Sequence, residues 1–262
     1  MTDTKIKRLR DKLTSLEGAV IAFSGGVDSA VLTAVAFEVL GERMLAVTGA
    51  SPSVPSRDMA SARSFCSKRG IPHIIIETNE FADKNFVSNP DNRCFYCKSH
   101  LFERLKKVAA EKGFKFVVEG TNASELTGHR PGFSAAQKDK NVVTPFVDLG
   151  FSKDDVRSIA RELKLEVAER PSTACLASRI PTGVRIEQDI LKRIDDAENY
   201  LLAIGLTQVR VRHHGELARI EADEAGMKAC LQNSAGIITK LNSLGWKNVT
   251  LDLKGYRTGG GM

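Results

Sequence analysis

Short apolar runs alternate with amphipathic stretches from the start of the chain to Leu165. Ile6, Leu9, Leu13 and Leu16 keep helical spacing, which predicts an amphipathic helix over 3–17 ended by Gly18. Ala19 to Phe23 is a continuous apolar run and reads as a buried strand, and Ala30 to Leu40 reads as an apolar helix. Further strands are predicted at 43–48, 73–77 and 116–119, with a short one at 142–146. Helices are predicted from the cap Ser56 to Arg69, from Arg93 to Glu111, and from the cap Ser152 to Leu163, the last with Asp154 and Asp155 in its first turn. Residues 79–92 read as polar and irregular, and 133–141 as a polar mobile loop. Strands alternating with helices specify an α/β fold, a parallel sheet wound by helices on both faces.

After Leu165 the pattern changes. Residues 169–185 form a proline-containing loop around Cys175, followed by a helix over 186–204. Strands at 208–212 and 217–221 flank His213 to Glu216, a helical stretch covers 224–244, and a last strand spans 249–253 before a tail expected to fray. The expected organisation is a domain over 1–165 and a smaller α+β domain over 166–262.

Composition narrows the class. Hydrophobic content of 42% and charged content of 27% in 262 residues are those of a water-soluble globular chain. No apolar run reaches the length of a membrane span, and the charged N-terminus lacks a signal core, so a cytoplasmic location without membrane attachment is expected. The net charge of +6 suits phosphate-bearing substrates. With only 6% aromatics and no long run of like charge, a nucleic-acid partner is disfavoured. The cysteines are Cys66, Cys94, Cys97, Cys175 and Cys230; an odd number argues for thiol, metal or catalytic roles rather than a disulfide framework.

The candidate chemistry begins at Ser24-Gly25-Gly26-Val27-Asp28-Ser29, a tight turn between a buried strand and an apolar helix. Such a turn aims backbone N–H groups and a helix dipole at an anion, with Ser24 and Ser29 as hydroxyl donors and Asp28 as a ligand for Mg2+. It lacks the Gly-Lys-Ser/Thr of a Walker loop and the G-x-G-x-x-G of a dinucleotide site. It resembles instead the PP-loop of the N-type ATP pyrophosphatases, which implies ATP cleaved to AMP and pyrophosphate. Thr48, at the carboxyl end of the second strand, is a candidate wall for adenine and ribose. Arg57 on the next helix could reach a phosphate or remain solvated.

Cys94-Phe95-Tyr96-Cys97 is compatible with a zinc half-site, a redox pair or core thiols. A second CxxC or a matching histidine pair is missing for zinc, since the adjacent His213 and His214 point apart. A redox pair wants a strand directly before it, where this chain has a polar loop. Three thiolates would leave one iron of a four-iron cluster with an open position. Cys175 stands among Ser172, Thr173, Ser178 and Arg179, and the arginine favours its thiolate.

With Gly120-Thr121-Asn122, Arg130-Pro131-Gly132, Ala174 to Arg179, the run Val209 to His213 and the run Leu217 to Glu221 all present, the whole chain resembles the LarE-type enzymes. These insert sulfur, at the expense of ATP, during nickel-pincer nucleotide biosynthesis. The resemblance implies adenylation of a pyridinium-3,5-dicarboxylate mononucleotide and displacement of AMP by a sulfur nucleophile. It implies ATP binding by Ser24 to Ser29 with Thr48, Arg57, Gly120, Asn122 and Glu125. It places the substrate phosphate on Ser178, Arg210 and Arg212, with Arg179 beside them, and makes Glu198 and Glu221 candidate ligands of a divalent ion. Arg210 and Arg212, one residue apart on a strand, would share a face as a two-pronged clamp.

In one branch of that family the counterpart of Cys175 attacks the acyl-adenylate and β-elimination leaves dehydroalanine. In the three-cysteine branch, which this chain matches, Cys94, Cys97 and Cys175 are expected to hold a [4Fe–4S] cluster carrying the sulfide donor. The resemblance also implies a homo-oligomer and contact with other enzymes of the nickel-pincer pathway. The rival readings are a PP-loop tRNA thiolase, an amidating ligase of the NAD synthetase kind, and a non-catalytic adenine-nucleotide or Fe–S module.

Overall fold

Leu9 and Leu13 are fully buried, which seats the first helix, α1 (Thr2–Thr14), on the core. The structure, a computed structural model, describes residues 2–127, 131–136, 139–171 and 173–257. Arg130, Ser172 and tail residues 258–262 therefore lie outside the described residues. In chain order there follow β1 (Ala19–Ala22), α2 (Val27–Leu40), β2 (Met44–Ala50), α3 (Ser56–Arg69), β3 (His73–Glu77) and α4 (Lys84–Val87). Next come α5 (Arg93–Glu111), β4 (Phe116–Val118), α6 (Pro131–Ala136), β5 (Val142–Val143), α7 (Pro145–Asp148) and α8 (Lys153–Glu162). The remainder is α9 (Gln188–Ala203), β6 (Val209–His214), β7 (Leu217–Ala222), α10 (Glu224–Gln232), α11 (Ser234–Ser243) and β8 (Asn248–Leu251).

Among the described residues the first sheet has the order β3-β2-β1-β4-β5, and every pair in it is parallel. β1 is central and packs on both faces. Ile21 joins a cluster with Leu9, Leu13 and Ala30, and Val20 joins one with Val47, Phe102 and Leu105. A strand covered on both faces has to be apolar throughout, which explains the unbroken run after Gly18. β1 continues to β2 on one side and pairs with β4 on the other, so its carboxyl end is a topological switch point, where α/β sheets place their ligands.

Several boundaries differ from the sequence reading. α2 begins at Val27, with Gly26 as its N-cap, so Asp28 and Ser29 lie in its first turn. β5 stops at Val143 because Pro145 starts α7 instead of continuing the ladder. The irregular stretch after Thr78 contains a 3-10 turn (Glu80–Ala82) and α4. The 133–141 region, read as a mobile loop, includes the end of α6, with Ala135 and Ala136 buried. The long C-terminal helical stretch is broken at Asn233 into α10 and α11.

The chain forms two units. The first comprises Met1–Ser51, Asp58–Asp83 and Asn92–Thr173; the second comprises Pro52–Arg57, Lys84–Asp91 and Ala174–Met262. The division falls later than Leu165 because the intervening segment is tied into the first unit. Arg157 donates to the carbonyls of Ala168 (2.5 Å) and Arg170 (3.0 Å), and Arg170 donates to Asp58 (2.5 Å) and Ser61 (2.6 Å).

The second unit carries the β6-β7-β8 sheet, with β6 and β7 antiparallel and β7 and β8 parallel. Its earlier segments are structural. Asn89 is fully buried and donates its amide to Pro181 O (2.9 Å) and Val184 O (3.0 Å), while Leu176 N donates to Ser53 O (2.8 Å). The final stretch, expected to fray, is pinned as far as Arg257. Tyr256 N donates to Ala222 O at 2.8 Å.

Candidate functional site

The loop after β1 is built from its own side chains. Gly25 sits at φ +77°, a conformation that favours glycine, and a Cβ there would stand 3.3 Å from Asp58 O. The Ser29 hydroxyl donates to Gly26 O (3.0 Å), accepts from Ser24 N (3.2 Å) and meets the Ser24 hydroxyl at 3.1 Å. The Gly26 N-cap uses no side chain of its own, so the first N–H groups of α2 point out of the loop for an anion. Gly120 lies against this turn; a Cβ there would be 3.2 Å from Ser29 N.

The segment leaving β4 brings the polar partners. Asn122, fully buried, donates its amide to Asp28 (3.0 Å) and to Glu125 (3.0 Å), and its own Oδ1 is buried without a donor. Lys153, from the start of α8, pairs with Asp28, and its backbone N–H is held by Ser124 Oγ at 3.1 Å. Sequence reasoning did not single out Lys153. The Asp28 carboxylate, which already attracts one cation in Lys153, and the orphaned Asn122 amide oxygen are oxygen acceptors of the kind that suits a divalent cation. Lys98 of α5 donates to Glu119 (3.3 Å), whose Oε1 is also buried without a donor.

Two residues expected at the nucleotide are committed elsewhere. The Thr48 hydroxyl donates to Phe23 O (2.7 Å) and meets His73 Nε2 (2.8 Å), so it ties neighbouring strands of the sheet. Arg57 belongs to the second unit, where it donates to Glu198 at 3.0 Å.

In the second unit, Cys175 precedes a 3-10 turn (Leu176–Arg179) and is half-buried. Arg179 is 2% exposed and supports the turn from beneath. Its Nη1 donates to Ala174 O (2.8 Å), Cys175 O (3.1 Å) and Ser178 Oγ (3.0 Å), while Nε and Nη2 hold Glu198. Burial works against its charge, but attraction and hydrogen bonding to Glu198 outweigh this and hold the guanidinium above its ordinary range. Arg179 is thus a strut of the cysteine loop, with its donors already spent.

Glu198 is fully buried and accepts from Arg57, Arg179 and Val211 N (3.1 Å), so its carboxylate is filled by protein donors and offers no vacancy to a metal. Glu221 accepts on Oε1 alone, from Arg212 (2.5 Å) and Arg219 (3.1 Å), and among the described residues its Oε2 is buried with no donor. Arg212 donates a second bond to Ser178 O (2.8 Å), and its Nη2 is buried with no acceptor. Arg210 and Arg212 both lie on β6 with Val211 between them, so their side chains leave the same face of the strand.

Cys94 and Cys97 lie in the first turn of α5, three residues apart on one side of the helix, Cys94 exposed and Cys97 half-buried. They belong to the first unit and Cys175 to the second. Among the described residues no group of three or more His, Cys, Asp or Glu side chains is gathered to hold a metal. The donor set itself, a thiol pair on one helical turn plus a further half-buried thiol, is of the soft kind that suits iron–sulfur ligation. Cys66, in contrast, is buried, and burial pushes its thiol up to about 12.

Comparison with known proteins adds an independent line. The NAD synthase family profile matches residues 3–184. An uncharacterized protein of Synechocystis sp. is 39% identical over 261 residues, covering 99% of this chain and 97% of its own. The pyridinium-3,5-bisthiocarboxylic acid mononucleotide synthase of Lactiplantibacillus plantarum is 31% identical over 257 residues, 98% of this chain and 93% of its own. The tRNA-specific 2-thiouridylase MnmA of Rickettsia africae is 28% identical and matches only 67% of this chain.

Proposed function

The chain belongs to the PP-loop enzymes of the NAD synthase family, within the group of the pyridinium-3,5-bisthiocarboxylic acid mononucleotide synthases, and we propose that it converts a pyridinium-3,5-dicarboxylate mononucleotide to the thiocarboxylate at the expense of ATP. The observation that carries this reading is Arg212. It is a buried cation, paired with Glu221 through Nε, whose Nη2 has no acceptor among the described residues and whose Nη1 is fixed to Ser178 O in the turn that Cys175 precedes, which supports an anion-binding donor on the side of that turn.

A carboxylate oxygen of the substrate attacks the α-phosphorus of ATP, and the bond to the β-phosphate oxygen breaks. The leaving pyrophosphate takes up charge that the N–H groups of α2 and the Ser24 and Ser29 hydroxyls are arranged to receive. Asp28, with Glu125 nearby, would hold Mg2+, which neutralises phosphate charge when bound. Lys153, released from Asp28, adds a cation on the same side. A sulfur nucleophile then attacks the acyl carbon and AMP leaves, giving the thiocarboxylate.

Ser178, Arg210 and Arg212 would hold the substrate phosphate. Cys94, Cys97 and Cys175 would hold a [4Fe–4S] cluster, a group that supplies a transferable sulfide when bound. On the sacrificial route, the Cys175 sulfur forms a thioester. Loss of its Cα proton with cleavage of the Cβ–S bond then releases the product and leaves dehydroalanine.

The deciding measurement incubates anaerobically purified protein with Mg·ATP and the dicarboxylate mononucleotide. AMP and pyrophosphate in equal amounts with a thiocarboxylate product are expected, and no AMP above a substrate-free control overturns the reading. Iron and acid-labile sulfide of about four each per chain, lost in Cys94→Ser, are expected for the cluster route. A mass loss at Cys175 matching dehydroalanine, with no iron, selects the sacrificial one.

A further inference from the structure

Arg210 is an unusual cation. It is 6% exposed, yet among the described residues it makes no ion pair. Among the described residues its one acceptor is Arg257 O, at the long distance of 3.3 Å. Burial lowers its readiness to stay charged, Tyr256 opposes this, and the like charges of Arg179 and Arg212 add to the lowering. What touches it instead is a ring: its guanidinium carbon lies 4.6 Å from the centroid of Tyr256.

That ring belongs to a segment that is firmly held. Asp252 N donates to Ile220 O (2.8 Å), Gly255 N to Asp252 O (2.9 Å) and Tyr256 N to Ala222 O (2.8 Å). Gly255 is at φ +66°, and a Cβ on it would stand 3.0 Å from Ala222 O, so the turn passes close over the end of β7 and needs glycine there. The strap is therefore pinned where it delivers Tyr256 to the face of Arg210.

We propose that this C-terminal strap, Asp252 to Arg257, is a wall of the substrate site, and that Tyr256 is a positioning residue fixing the Arg210 guanidinium for a phosphate monoester, the 5′-phosphate of the mononucleotide. The inference rests on the substrate class proposed above. A stacked ring occupies the face of a guanidinium and leaves its in-plane N–H groups for an anion. The ring also takes the place of water on one face and of the rotational freedom a long side chain would otherwise lose on binding. A carboxylate partner would hold the arginine equally well but would compete with the phosphate; an aromatic face holds it without competing.

The test is calorimetric titration of the full-length protein, without ATP, with inorganic phosphate and separately with the dicarboxylate mononucleotide. Tyr256→Leu and Tyr256→Met keep apolar bulk and lose the π face, and are expected to bind both about tenfold more weakly at an unchanged melting temperature. Tyr256→Phe restores binding, and in turnover the Leu variant raises KM while kcat stays, which general unfolding would not produce. Wild-type affinity in the Leu or the Met variant, whichever stays folded, overturns the strap while leaving the proposed function intact. Tyr256-dependent binding of phosphate with no binding of the mononucleotide overturns the substrate reading and keeps the strap. Binding of neither by the wild type overturns both.

Discussion

Arg179 grips both carboxylate oxygens of Glu198, Nε to Oε1 at 2.9 Å and Nη2 to Oε2 at 3.1 Å, with side chains 1% and 0% exposed. Charges so deeply buried are stable only as a pair, and removing one partner of such a pair costs about 3–5 kcal/mol. Glu198→Gln is expected to lower the denaturation midpoint accordingly and to loosen the Cys175 turn, which hangs on the other end of Arg179. The double change Arg179→Met with Glu198→Met should recover part of the loss. A double variant as unstable as the sum of the singles would contradict the coupling.

Asp28 and Lys153 give the second prediction. They are 125 residues apart in sequence and joined side chain to side chain at the phosphate loop. Asp28→Asn and Lys153→Met should each reduce pyrophosphate release on the order of a hundredfold while leaving the melting temperature nearly unchanged, since both side chains are partly exposed. Full activity in Lys153→Met would remove this lysine from the site.

Thiol reactivity should divide the cysteines. With its thiol pushed up to about 12, Cys66 is expected to stay unlabelled by iodoacetamide at pH 8 in the folded protein. Cys94, exposed at the start of α5, should be labelled first in iron-free protein. Peptide mass spectrometry reads the order directly, and equal labelling of Cys66 and Cys94 would show that the core of the first unit opens.

The histidines fix the pH response. His213 accepts from Trp246 Nε1 (3.1 Å) at Nδ1, and burial, with Arg193 and His214 adding to it, pushes it below its ordinary value of 6.5. His73 is lowered likewise, by burial and then Arg63. A histidine depressed in the folded state is protonated more readily in the unfolded chain. Its stabilisation is therefore complete above pH 6.5 and is lost as pH falls toward the folded value, at no more than about 1.4 kcal/mol per pH unit for each group. Melting temperature should fall between pH 7 and 5, and His213→Gln should flatten that slope. An unchanged slope would assign the effect to other groups.

Much of the first unit was legible because its signals are local. The parallel sheet follows from apolar runs alternating with amphipathic ones, and the phosphate loop is a contiguous six-residue word, Ser24 to Ser29, directly after a strand. Lys153 was not legible, because only the sheet's winding returns α8 to the loop. For Glu198, read as a candidate metal ligand, the sequence also held the signal of its arginine partners: it occupies a core position of α9, on the buried face with Leu191, Ile194 and Leu201. A carboxylate at core spacing needs a buried cation, and the sequence cannot say which arginine answers. The bonds of Thr48 to Phe23 O and His73 were not legible, because a hydroxyl on a strand looks the same in sequence whether it faces ligand or neighbouring strand. The tail was expected to fray because chain ends are seldom tied down, and nothing local announces that Gly255 lets the strap cross Ala222.

The second unit's discontinuity has a consequence for how the protein is made. Pro52–Arg57 and Lys84–Asp91 leave the ribosome long before Ala174 and everything they pack against. Until then Asn89 has none of the carbonyls of Pro181 and Val184 that it later holds, and Arg57 has no Glu198. The nascent chain must therefore keep two short segments uncommitted until Ala174 and the residues after it have emerged, so the small unit is the last to close and the stage most exposed to chaperones and proteases.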